Sequence, residues 1–62
     1  MDDEPLMKFF KYEHLPMVLQ AASEPFCTLA RLIVEKIPRS AERTVCLRKL
    51  LEAKDAAVRA ML

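Results

Sequence analysis

The chain has 62 residues, of which 53% are hydrophobic and 31% charged, with a net charge of +1; folding alone at this length removes only about 60% of the unfolded surface from water and is marginal without staples. The usual staples are missing, since Cys27, Cys46 and His14 form no CxxC pair or other zinc spacing, and no metal or cofactor is expected. So small a net charge excludes nonspecific duplex binding driven by counterion release, although a local cluster of cations can still hold a compact anion.

From Met1 to Lys11 no helical period is present, and Pro5 restricts the backbone, so residues 1–15 read as an extended N-terminal arm that needs a surface to lie on. Residues 16–62 read as a single helical hairpin domain. Leu15, Val18 and Leu19 recur at spacings of three and four, and Pro16 suits a first helical turn, predicting a short helix over Pro16 to Ala22. Ser23, Glu24 and Pro25 then read as the N-cap and first turn of a new helix; the sequence leaves open whether the two segments join. Phe26, Leu29, Ala30, Ile33, Val34 and Ile37 form the core stripe of this helix, which ends near Lys36 ahead of Pro38. Arg31, Glu35 and Lys36 fall outside the stripe, as a solvated face does.

The turn Ile37-Pro38-Arg39-Ser40 leads into a second helix capped by Ser40, with Glu42 in its first turn. So short a loop makes the two helices antiparallel neighbours. On a helical wheel Arg48, Lys49, Glu52, Asp55 and Arg59 gather in one sector, while Cys46, Leu47, Leu50, Leu51, Ala53, Ala57, Val58 and Met61 fill most of the rest. An apolar face that wide exceeds what one hairpin partner covers, so self-association is expected, with the ridge of Ala53, Ala56, Ala57 and Ala60 allowing close approach. Cys27 and Cys46 lie among apolar positions, where a free thiol behaves as a small hydrophobe, although aligned helices would also permit a disulfide. Arg43 and Lys54 intrude into the apolar sector. Each must reach solvent along its stem, pair with an acid, or face a bound anion.

Charge is divided unevenly: residues 1–24 hold five acids against Lys8 and Lys11, and residues 25–62 hold eight Lys and Arg against four acids. With no glycine there is no phosphate loop, and no Ser or Cys has His and acid partners in a matching context, so enzyme activity is not expected. The chain lacks a run of about 18 apolar residues and opens on Asp2-Asp3-Glu4, which argues against a membrane span or a signal peptide and for the cytoplasm. The remaining chemistry lies in Lys8-Phe9-Phe10-Lys11-Tyr12, where rings alternate with ammonium groups, the pairing that binds a base by stacking and its phosphate by charge. Phe9 and Phe10 read as hydrophobic anchors of the arm, while Tyr12 borders a polar turn where its ring can meet a ligand.

An aromatic arm with Tyr12, a helix carrying Leu29-Ala30 and Ile33, the turn Pro38-x-Ser40-x-Glu42, and a second helix with Leu47, Leu50, Glu52-Ala53, Ala56-Ala57 and Ala60 together resemble the phage anti-CBASS sponges. Their hairpin domain is shared with a phage anti-Thoeris sponge. The likeness covers about residues 9 to 62. It implies a compact homo-oligomer, a hexamer in that family, that sequesters cyclic di- or trinucleotide immune signals in the infected bacterial cell without cleaving them. By that resemblance the pocket lies between subunits, Tyr12 takes the aromatic position, and helix cations meet the phosphates. The family's first-helix lysine has no counterpart, because the segment between Tyr12 and Leu29 is shorter and carries Pro16 and Pro25. The expected ligand contacts are therefore Tyr12 and Lys11, with Arg31, Arg43 and Lys54 from the residue-level argument.

The fold expected is thus all-α: an antiparallel helical hairpin with an extended arm and a short extra helix, assembled into a compact homo-oligomer. The competing function is a structural or adaptor hairpin whose apolar face docks a partner helix. A DNA-binding role is disfavoured because Glu52 and Asp55 interrupt the basic sector.

Overall fold

The computed structural model describes residues 4–62; the acids at Asp2 and Asp3 lie outside the described residues. The chain is all-helical, with a 3-10 helix at Pro5–Phe10 followed by α1 at Met17–Lys36 and α2 at Ala41–Ala60. The two α-helices pack side by side as a hairpin, and the 3-10 helix lies against both.

Residues 5–10 of the arm are therefore helical and not extended. Pro5 supplies a pre-set φ at the start of the 3-10 helix, and Glu4 caps it, its Oε2 accepting the Leu6 N–H at 3.4 Å. Six residues are too few to show an amphipathic period, so the element left no helical signature.

α1 is one helix of 20 residues rather than two. Pro16 is its N-cap and offers no side-chain acceptor. The preceding turn is held instead by Gln20, whose Nε2 donates to the carbonyls of Leu15 at 2.8 Å and Glu13 at 3.3 Å. Pro25 lies inside α1 and leaves the Ala21 carbonyl without its helical donor. The helix continues because Leu19, Ser23, Cys27 and Ala30 form one uninterrupted buried face on both sides of the proline. Ser23 is consequently a buried interior residue, not a cap. Among the described residues its hydroxyl has no hydrogen-bond partner.

The interhelical turn follows its sequence signals closely. α1 stops at Lys36, and the Ile37 N–H closes the last turn on the Ile33 carbonyl at 2.9 Å. Ser40 caps α2, its Oγ accepting the Arg43 N–H at 3.1 Å, and Glu42 stands in the first turn.

The core is small: Phe10, Cys27, Ala30 and Leu47, with Leu6, Met7, Tyr12, Phe26, Ile33, Val34, Leu50 and Leu51 packed half-buried around it. Full burial of Phe10 and of Leu47 contributes about 1.5–3 kcal/mol each. The stripe expected on α1 is only partly covered. Ala30 is buried, yet Leu29 and Ile37 remain 46% and 42% exposed, because α2 and the 3-10 helix pack against the flank nearer Leu19, Ser23 and Cys27. Cys46 is exposed and only Cys27 is buried; both thiols are free. By length and composition α1 is long and apolar enough to cross a membrane, with a mean hydropathy of 1.2, although it holds no uninterrupted run of about 18 apolar residues. Glu24 and Arg31 break the run without lowering the average below that level.

Restoring the missing donor tests the continuity of α1. Pro25→Ala should raise stability by about 1–2 kcal/mol, read as a higher urea midpoint.

Candidate functional site

The two cations that intrude into the apolar sector of α2 are both occupied within the protomer. Arg43 is 1% exposed. Its Nη2 forms a buried ion pair with Glu4 Oε1 at 3.0 Å, and its Nη1 donates to the carbonyls of Ile37 at 3.0 Å and Val34 at 3.4 Å. Those carbonyls belong to the C-terminal end of α1, where helical acceptors lack intrahelical partners and a positive charge is favoured. Of the options open to Arg43 in the sequence, pairing with an acid is the one observed.

Lys54 is 9% exposed, and its Nζ donates to the Phe9 carbonyl at 2.6 Å, with Asp55 Oδ1 at 3.9 Å. The ammonium thus satisfies a carbonyl at the end of the 3-10 helix, as Arg43 does at the end of α1. Both cations tie the N-terminal segment down. Sequence reasoning missed Glu4 as the acid that meets Arg43; the available signal was a cation inside an apolar sector, which requires a counter-charge from somewhere.

Lys11 and Arg31 are exposed, and the fold brings them together. They line one cleft of about 380 Å³ between the N-terminal segment and α1, together with Lys8, Glu4, Met7 and Cys27. Glu4 is the acid on this wall, and its charge is already balanced by Arg43. The opening is therefore cationic, with an apolar base formed by Met7 and the Cys27 thiol. Lys8 Nζ lies 5.2 Å from the centre of the Phe9 ring, a cation–π contact.

Phe10 is fully buried and anchors the segment, whereas Phe9 is 49% exposed. Tyr12 is half-buried against the core. It lies next to the cleft in sequence but is not among its lining residues. A second, smaller cleft of about 250 Å³ is bordered by Leu15, Lys54, Asp55, Val58 and Arg59, where the Lys54 ammonium is already engaged by Phe9.

Glu13 modulates the cationic group. Its Oε2 accepts the Tyr12 N–H at 3.1 Å. Its carboxyl is held below the ordinary value of 4.5 chiefly by its own and Tyr12's backbone N–H groups, which outweigh an opposing desolvation, with the Arg31 and Lys11 charges adding the smallest contributions. A carboxylate in the field of both cations subtracts from the positive potential an anion would meet.

Comparison of the chain with family models, characterised proteins and solved structures gives no match.

Two measurements test this geometry. Arg43→Ala leaves Glu4 buried without its counter-charge and the α1 carbonyls without their donor, and should cost about 3–5 kcal/mol by urea unfolding. In an NMR titration the Glu13 side chain should show a midpoint below that of a free glutamate. The sign follows from the lowered pKa: the stabilising contribution of Glu13 is complete above the unfolded-state value and lost as pH falls through the folded one.

Proposed function

We propose that the protein is a non-enzymatic binding protein that sequesters a cyclic di- or trinucleotide, with copies of the chain assembling to complete the pocket. The observation that carries this reading is the convergence of Lys8, Lys11 and Arg31 on one cleft whose single acid, Glu4, is neutralised by Arg43. Three ammonium or guanidinium groups above an apolar base suit a compact polyanion with a flat hydrophobic part. The resemblance to anti-CBASS sponges supplies the ligand class.

A volume of about 380 Å³ is near the lower limit of the roughly 300–1,000 Å³ found for sites that bury most of a small ligand. One protomer therefore covers part of a cyclic dinucleotide, and a second must cover the rest. Val18, Leu29, Leu32, Val45 and Met61 are each more than two-fifths exposed, which supplies apolar surface for that assembly. On this reading Lys11 and Arg31 meet phosphates, Phe9 and Tyr12 are the rings nearest a base, and Arg43 and Lys54 act indirectly by fixing the wall that carries Lys8 and Lys11. Sequestration without cleavage in the bacterial cytoplasm would keep the signal from its effectors.

The exposed stripe of Val18, Leu29 and Leu32 on α1 also favours a second reading, an adaptor hairpin that docks an apolar partner helix.

The test is calorimetry and gel filtration with a panel of cyclic di- and trinucleotides, followed by recovery of the ligand after denaturation. Tight retention of an intact nucleotide is expected. Lys11→Ala and Arg31→Ala should each weaken it by about tenfold or more, whereas Glu13→Gln should strengthen it by removing an opposing charge. Absence of retention across the panel, or recovery of a hydrolysed product, would overturn the reading, and a copurifying helical protein would favour the adaptor.

A further inference from the structure

The side of α2 turned away from its own hairpin exposes Glu42, Val45, Lys49, Glu52, Ala56 and Arg59. These positions alternate in steps of three and four, the a and d spacing of a two-stranded coiled coil. Leu47 and Lys54, both buried within the protomer, lie on the opposite line of the same heptad. The helix thus presents one seam inward and a second seam outward.

The outward seam has a particular symmetry. About the midpoint between Leu50 and Leu51, Glu42 is as far to one side as Arg59 is to the other; Lys49 and Glu52 are related in the same way, as are Val45 and Ala56. An antiparallel pair of identical helices sets each a position against a d position of its partner, so every layer formed here is acid on base or apolar on apolar. A parallel pair would instead stack Glu42, Lys49, Glu52 and Arg59 each on its own copy, four layers of like charge. The edges agree. Antiparallel pairing brings Arg48 near Asp55 of the second copy on one edge, and Cys46 near Ala53 on the other, where Cys46, Ala53 and Ala60 are small and exposed and permit close approach.

We propose that α2 docks on α2 of a second copy, antiparallel, about a two-fold axis crossing the helix between Leu50 and Leu51. A self-complementary seam selects this chain itself as the occupant rather than an unrelated helix. The inference deepens the self-assembly element of the proposed function by naming the surface, and it does not depend on the identity of the ligand.

Two readouts on the full chain test it. By sedimentation equilibrium, Lys49→Glu should raise the dissociation constant of the α2 pair about tenfold or more, since it creates two symmetry-related acid–acid layers; Glu52→Lys should do the same, and the double exchange should restore association. Oxidised glutathione should link Ala53→Cys into a covalent dimer through the native Cys46 of the second copy, while Arg48→Cys, on the other edge, should not form that link. A strictly monomeric chain at high micromolar concentration would overturn the proposal. So would an assembly that ignores both charge reversals and forms no Ala53→Cys crosslink; retained nucleotide binding in that assembly would show that the functional reading stands and only this interface is wrong.

Discussion

The buried guanidinium of Arg43 holds the molecule together. A hairpin of two helices encloses too little apolar volume to fix a third segment by packing alone, and here the buried apolar side chains include only Phe10, Leu19 and Leu47 as large ones. Arg43 joins Glu4, the C-terminal carbonyls of α1 and, through its backbone N–H, the Ser40 cap. One residue thus links the N-terminal segment, the end of one helix and the start of the next. Its planar fork suits this task, since separate N–H groups reach a carboxylate and two carbonyls at once, which a lysine ammonium does with less directional control.

Lys54 plays the same part at the other end of the N-terminal segment, with a carbonyl as its partner. Together the two cations convert a weakly apolar stretch into a structural layer over the hairpin. That layer carries Lys8 and Lys11 to the cleft where α1 contributes Arg31. The positions of the exposed cations therefore depend on the buried ones, and Arg43 balances the charge of Glu4 on the cleft wall.

Much of the hairpin was legible from local signals. Pro38, Ser40 and Glu42 mark the turn and the α2 start by rules that act within a few residues, and the structure follows them. The joining of two helical segments into α1 was not legible, because Ser23, Glu24 and Pro25 satisfy the local grammar of a helix start while the buried face running from Leu19 to Ala30 overrides it. The 3-10 helix was hidden because so short an element carries no period. In the candidate site, the exposed character of Lys11 and Arg31 could be read from their places off the apolar stripe, but their meeting at one cleft depends on how the N-terminal segment folds back. Glu4, the acid that meets Arg43, and Phe9, whose carbonyl meets Lys54, are 39 and 45 residues away, beyond the reach of any local pattern. Cys46 was misplaced for a related reason: the apolar sector of α2 is wider than the surface α1 and the N-terminal segment cover, and composition alone does not say which edge stays open.

Those separations also rank the contacts by chain entropy. The Arg43–Glu4 and Lys54–Phe9 contacts close loops of 39 and 45 residues, whereas the link between α1 and α2 closes within a few residues, so the interhelical turn carries the smaller loop-closure cost. The hairpin is thus the platform on which the N-terminal segment is fastened.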